Sequence, residues 1–582
     1  MAQTSQKEVV IVAFACISML TSSVCASKET VVIETKYGKI KGITAHFPHS
    51  LGPIKAINKF LGVPYASPPI GKLRFKKPSA RKPWFPKVYD ATYFHNVCMQ
   101  KPELFFLTLQ KIWPGFSLND FNEDCLFLNI HVPNPLISAN GTIKRKHADL
   151  YPVMVYFHGG SYFAGTPLRL ETNGEILPLR GIVLVAVQYR LGPFGFLTTG
   201  DGNAPGNAGI LDQVEALKWI KENIKNFKGD PMKITIFGES AGGASVALHT
   251  LSPLTKGLFH RAIADSGVDY SPFAYLPLEK EIQFSKKLAT NLGCPLTSNR
   301  IMVKCLRKVN PFKLAIVANS SEEFRPVVDG YYLPQAPQIL RRQGKFHAVP
   351  LFTGFTKDDA SFLLDNSTKL LPLALRREYL KTAFIERQLE LNKDKQATRY
   401  FVAAIEHQYT PWPHTRDLNK LRKKVIEMYT DYYLSAPTHA VVKQHALKAP
   451  VFLYEFRYRS KHDKAESWKG VMHGSNSKYI FGAPFLKLRD TTVMQNFDER
   501  DRNFSHLIMT LYTNFAKFGD PTPKPVNNVK WKAFHFSDYA YLKMDAEPEM
   551  SRKYHPHRIA FWNNFFPYFL NSTSTVDIAS TS

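Results

Sequence analysis

A serine set between glycines is where chemistry first shows in this sequence. Gly238-Glu239-Ser240-Ala241-Gly242 fits G-x-S-x-G, a tight strand-to-helix turn that pushes a serine hydroxyl clear of its own backbone. A serine hydroxyl is a poor nucleophile until a neighbouring base takes its proton. The base needs an acid to orient it, and the oxyanion of the tetrahedral intermediate needs donors. A second glycine-rich turn, His158-Gly159-Gly160-Ser161, is of the HGGG type, whose backbone N–H groups face such an elbow. The amides of Gly160 and Ser161, joined by that of Ala241, are the expected oxyanion donors. The chemistry implied is acyl transfer through Ser240, which calls for no cofactor and no metal.

These turns need rigid elements behind them. Val153 to Phe157 is a short apolar run ending at the His158 turn, and Gly181 to Val187 (GIVLVAV) reads as a buried parallel strand. Leu211, Val214, Leu217, Ile220, Ile224 and Phe227 recur at three- and four-residue spacing and predict one apolar helical face. Asp230-Pro231 is expected to stop that helix, and Lys233 to Phe237 (KITIF) is the next strand. Strand, helix and strand in succession build a βαβ unit with a parallel sheet. Ligands in such sheets sit at the carboxyl ends of the strands, where both turns fall.

The chain has 582 residues, of which 44% are hydrophobic, with 75 Lys and Arg against 48 Asp and Glu for a net charge of +27. That composition excludes a disordered chain, a collagen and a small disulfide scaffold. Residues 1–26 carry an apolar run from Val9 to Leu20 and small residues at Val24-Cys25-Ala26, the pattern of a secretory signal peptide. The mature chain, 27–582, then keeps Cys98, Cys125, Cys294 and Cys305. Three pairings are open, and the sequence neighbours, Cys98 with Cys125 and Cys294 with Cys305, are the simplest. Five sequons at Asn140, Asn319, Asn366, Asn503 and Asn571 agree with an extracellular, secreted chain. No apolar stretch of membrane-spanning length follows residue 26, and no nucleic-acid module is present. The charge suits weak contact with anionic glycans.

Longer segments add a family resemblance. Phe60 to Phe75 (FLGVPYASPPIGKLRF), Glu123 to Asn129 (EDCLFLN), Gln188 to Leu197 (QYRLGPFGFL) and Asn203 to Gln213 (NAPGNAGILDQ) precede the elbow. Leu258 to Gly267 (LFHRAIADSG) and Asn514 to Pro521 (NFAKFGDP) follow it. In this order they resemble the type-B carboxylesterase/cholinesterase family over nearly the whole mature chain. The resemblance implies an α/β-hydrolase fold: one α/β domain with a central, mostly parallel mixed β-sheet flanked by helices on both faces. It also implies the triad order serine, acid, histidine. The acid segment is Gly354 to Ser361 (GFTKDDAS), matching Asp359 with Asp358 as its rival. The base segment is His473 to Gly482 (HGSNSKYIFG), matching His473. With His473 as base, activity is expected to rise at roughly pH 6–7 as it deprotonates.

Some positions depart from the family pattern. Ser161 replaces the third loop glycine, Asn476 and Lys478 stand where acids are common, and Asp265 replaces a glutamine before Ser266-Gly267. The leading expectation is a secreted serine carboxylesterase acting on a small-molecule ester. A cholinesterase reading requires a choline-binding Trp ten residues before Cys125. That position is Gly115, with Trp113 two residues away, and no C-terminal Cys is present. A catalytically silent, neuroligin-like binding protein is the other class; such relatives commonly lose a triad member, whereas this chain keeps all three.

Overall fold

The structure is a computed structural model that describes residues 29–47, 54–104, 106–113, 115–134, 150–318, 324–364, 395–486 and 496–568. The expected signal peptide and the sequons at Asn140, Asn319, Asn366 and Asn571 lie outside the described residues. Asn503 is described and exposed.

Twelve strands among the described residues run through one sheet. They are β1 (Thr30–Thr35), β2 (Gly38–His46), β3 (Ala56–Pro64), β4 (Phe127–Asn134), β5 (Tyr151–Phe157) and β6 (Val183–Val187), then β7 (Gly229–Glu239), β8 (Arg261–Asp265), β9 (Leu351–Thr356), β10 (Val451–Phe456), β11 (Ala540–Met544) and β12 (Glu549–Arg552). Their order is β1-β2-β3-β4-β6-β5-β7-β8-β9-β10-β11-β12, and the two-residue strand Tyr89–Asp90 pairs with β2 off this path. From β6 to β11 every pairing is parallel, and antiparallel strands close both ends. This is the mixed, centrally parallel sheet of the expected α/β-hydrolase fold.

Side chains alternate across that sheet, as a period of two requires. Val153, Val155, Phe157, Val183, Val185, Val187, Ile234 and Ile236 point into one core. Met154, Tyr156, Leu184, Ala186, Phe237, Ile263 and Phe352 point into the other. Both faces are covered, which explains why the central strands read as unbroken apolar runs. Helix α1 (Ala208–Asn223) and helix α2 (Ala241–His249) bury residues in the first core, and a later helix, Glu499–Phe518, covers the second. All six residues of the expected helical face, Leu211 to Phe227, are buried.

The helix ends earlier than Asp230-Pro231. It passes into a single tighter turn at Ile224–Phe227, and Lys228, at φ 60°, turns the chain through the left-handed region. Strand β7 therefore starts at Gly229, four residues before the expected Lys233, with a register shift between Gly229 and Ile234. Strand β6 starts at Val183 because Gly181, at φ 79°, still caps the preceding turn.

Disulfides join Cys98 to Cys125 and Cys294 to Cys305. The second pins helix α3 (Asn299–Leu306) to the segment that leads into it. Helix α4 (Leu418–Thr430) packs beside the Asp359 turn, and the helix Glu499–Phe518 is α5.

Phe352 on β9 shows how tightly the second core holds the strand that leads to Asp359. It is fully buried and meets Tyr512, Trp531, Tyr454 and Phe515 at ring centroid distances of 4.7, 4.9, 5.5 and 5.6 Å. Removing that ring leaves a cavity that rigid neighbours cannot refill. Phe352→Ala is expected to cost about 3–5 kcal/mol, read as a lowered denaturant midpoint in equilibrium unfolding.

Candidate active site

Ser240 follows β7 directly and starts α2, at φ 61° and ψ −127°. A non-glycine residue holds that left-handed conformation only where its surroundings enforce it, at a cost of roughly 1–3 kcal/mol. Here the Ser240 N–H donates to Asp265 O at 2.9 Å, and Ser240 O accepts from Ala244 N at 2.9 Å. The backbones crowd together: a methyl group on Gly242 would stand 2.0 Å from Phe157 O. One on Gly159 would stand 2.9 Å from Ser240 Cβ, so the His158 turn lies directly against the elbow.

Within that turn His158 is buried, stacked on Tyr189 at 4.4 Å, with its carbonyl accepting from Tyr189 Oη at 2.7 Å. Gly160 O accepts from the N–H groups of Phe163 and Ala164 at 3.1 and 3.0 Å. Gly160, Ser161 and Tyr162 all have positive φ, at 110°, 52° and 63°. Ser161 thus follows a path that suits glycine and carries a strained backbone instead, with its side chain exposed.

Asp359 is fully buried in the turn after β9. Its Oδ2 accepts from Ser266 Oγ at 2.7 Å and from Thr356 N at 2.8 Å, and its Oδ1 lies 2.5 Å from His473 Nδ1. The His473 N–H also donates to Asp359 O at 3.1 Å, so strand-end turn and histidine loop are joined twice. Its rival, Asp358, does a different job. It exchanges hydrogen bonds with Val471, accepting from Val471 N at 3.0 Å and donating its own N–H to Val471 O at 3.1 Å, and it pairs with Lys423 of α4. Asp358 braces the loop that carries His473; Asp359 touches the ring.

On its other side the His473 ring meets a second carboxylate. Nε2 lies 2.9 Å from Glu239 Oε1, an ion-pair contact without the alignment of a good hydrogen bond. Among the described residues no hydrogen bond joins Ser240 Oγ to His473. Burial by itself would push the His473 pKa down. The carboxylates of Glu239 and Asp359 outweigh it and hold the ring's pKa well above the ordinary histidine value. Phe362 stacks over that ring at 5.0 Å. For a His473 base, that raised pKa moves the expected rise from roughly pH 6–7 to higher pH.

Sequence reasoning passed over Glu239, although it stands inside the G-x-S-x-G pentapeptide. The pattern marks the elbow and says nothing of which loop folds back over its second residue. The departure at Asp265 also resolves into structure. Its side chain is fully buried and accepts from Tyr454 Oη at 2.7 Å and Tyr512 Oη at 2.9 Å. Burial raises its pKa to about 7 despite those two donors. Trp113, the register-shifted aromatic, packs against Phe116 and Phe94 at 5.3 and 6.0 Å.

A cavity of about 1090 Å³ opens beside the His158 turn, with Phe163, Tyr270, Tyr275 and Arg325 on its wall; neither Ser240 nor His473 lines it. Among the described residues no cluster of three or more His, Cys, Asp or Glu side chains is placed to hold a metal ion, and no helix is long and apolar enough to cross a membrane.

Comparison with known proteins agrees with the sheet. The model of a family described as carboxylesterase matches residues 29–562. Neuroligin-2 of Rattus norvegicus and of Homo sapiens are each 33% identical to this chain, and that of Mus musculus 32%, over 93% of this chain and 68% of theirs.

The Asp265 site predicts a pH dependence of stability. A carboxyl whose folded pKa is raised favours the fold fully below its unfolded value near 3.9, and that contribution is lost as pH climbs through about 7. Asp265→Asn keeps the shape and removes the proton. Its thermal midpoint is expected to change less than that of the native protein between pH 4 and pH 8, as followed by circular dichroism.

Proposed function

The chain belongs to the carboxylesterase family, and on that premise we propose that it is an extracellular serine carboxylesterase. The observation that carries this reading is the 2.5 Å contact between Asp359 and His473 beside the strained elbow of Ser240. In the proposed cycle Ser240 Oγ attacks the carbonyl carbon of a small ester while His473 Nε2 takes the hydroxyl proton. Asp359 keeps the ring in the required tautomer and stabilises its charge. The Gly160, Ser161 and Ala241 amides take the oxyanion as the carbonyl bond becomes single. The alcohol leaves with the proton from His473. Water then gives a proton to His473 and its hydroxide to the acyl carbon, and His473 returns that proton to Ser240 Oγ as the acid leaves.

The same reading makes residues 1–26 a cleaved signal peptide and 27–582 one secreted, glycosylated domain. The two disulfides support an oxidising compartment.

A second reading has its own observation. His473 Nε2 contacts Glu239 instead of Ser240, and the relatives named above are neuroligins. On this reading the chain is a neuroligin-like binding protein whose serine is kept idle by an imidazolium that cannot act as a base.

Two measurements separate the readings. A fluorophosphonate probe is expected to form an adduct on Ser240, detected by peptide mass spectrometry, and Ser240→Ala should lose both the adduct and the hydrolysis of a short aryl ester. No adduct and no turnover up to about pH 9 supports the silent protein. For an enzyme, Glu239→Gln removes one of the two anions that hold the proton on His473. The rising limb of kcat/KM should then move toward acid pH, with higher activity at pH 7. An unmoved limb would show that Glu239 does not govern His473.

A further inference from the structure

The net charge of +27 is not spread evenly along the chain. From Lys36 to Tyr89, 54 residues contain twelve Lys and Arg and no Asp or Glu. From Ile282 to Ser321, 40 residues contain seven Lys and Arg, again with no acid. The other 488 residues hold 56 cations against 48 acids, so most of the excess lies in these two stretches. They are far apart in sequence, yet the fold packs one on the other.

Arg74 makes the junction. It is buried, and its Nη1 donates to Leu306 O at 3.1 Å and to Val309 O at 2.7 Å, at the end of α3. Arg307 returns the contact, donating from Nε to Arg74 O at 3.1 Å. The loop at 201–203 is gripped from both sides: Lys76 Nζ donates to Gly202 O at 2.5 Å and Arg307 Nη2 to Asn203 O at 3.1 Å. At the other end of α3, Asn299 Nδ2 donates to Asp201 Oδ2 at 3.0 Å. The disulfide from Cys294 to Cys305 ties the helix down. The arrangement is thus a rigid scaffold on which Lys72, Lys77, Arg300, Lys304 and Lys308 are exposed, with Lys77 Nζ 3.4 Å from the Tyr331 ring centroid.

Two acids that adjoin this scaffold are already committed. Glu123 is taken by Arg74 in a two-pronged pair at 2.5 and 2.6 Å. Asp201 accepts from Thr199, Asn203 and Asn299. Burial, and to a lesser extent the neighbouring Arg74, lowers the Arg307 pKa. Like charges held on a stiff frame repel one another, and a multivalent anion relieves that repulsion along its whole length.

We propose that the face built from Lys72–Lys77 and α3 with Arg307 and Lys308 is a docking surface for a linear sulfated polysaccharide. Long side chains on two elements offer charge over a broad strip, which suits a flexible polyanion better than a single phosphate or carboxylate. Ile70, Leu73 and Ile301 are exposed on the same elements, which makes an anionic bilayer the competing class. Charged ends outnumber apolar ones there, and the extracellular setting proposed above favours the glycan. The proposal stands whether or not Ser240 turns over esters.

The test compares two fivefold variants of the full-length chain with equal loss of charge. One replaces Lys72, Lys77, Arg300, Lys304 and Lys308 with Ser. The other replaces Arg416, Lys420, Lys464, Lys524 and Lys532, which are also exposed but lie outside both acid-free stretches. Thermal midpoints check that both fold, and each single Lys or Arg replacement from the first set serves if the fivefold variant does not. Binding to immobilised heparin is followed over a salt series. The first variant should elute at clearly lower salt and bind at least about tenfold more weakly at physiological ionic strength, with the control within about twofold of the native protein. Equal losses in both variants would show that bulk charge alone acts and would overturn the assignment. So would tighter binding of the native protein to phosphatidylserine vesicles than to heparin at the same salt.

Discussion

His473 sits between two carboxylates, and the rest of the site is arranged to hold it there. Asp359 on one side is fixed by Ser266, Thr356 and its own strand end. Glu239 on the other is the last residue of β7, so the strand that delivers Ser240 also delivers a rival for the same ring. A part-buried imidazole beside two anions favours its charged form, and a charged imidazole cannot accept a proton. One local balance thus sets how firmly His473 holds its proton.

The elbow shows why such a balance can persist. Its strain at Ser240 is held by hydrogen bonds at both backbone ends and by close contacts that admit only glycine at position 242. The strain at Ser161 has no substitute of that kind in its own side chain, which is exposed. Strained residues at the meeting of two turns are a load on stability, and a tightly packed sheet can carry it. Aromatic packing around Phe352 and the bracing of Asp358 by Lys423 and Val471 both act on the segments that bring Asp359 and His473 together.

Legibility in the sequence followed how local each cause is. Ser240 was legible because the elbow needs its glycines within two residues. The strands β5, β6 and β7 were legible because burial on both faces leaves unbroken apolar runs, and the α1 face because its period is helical. Asp359 and His473 reach the site from loops far along the chain, and only resemblance to a family selected them; periodicity carries no such information. Glu239 stood in plain view beside the serine, but its contact depends on how a loop more than two hundred residues later returns. The end of α1 was misplaced for a smaller reason. A lysine at φ 60° stops a helix as well as Asp-Pro does, and lysine gives no warning of it.

Charge was the feature hardest to interpret from composition, because a net value hides its own geography. A total of +27 suggests a positive field at every site, yet the residues nearest His473 are Glu239 and Asp359, with Asp358 and Asp265 close behind them in the fold. Coulomb interaction falls with distance and salt shortens its reach to about 8 Å at physiological strength, so near carboxylates outweigh distant lysines. The catalytic candidates therefore work in a locally anionic setting inside a cationic protein. The excess cations lie largely in two acid-free stretches that Arg74 and Arg307 join.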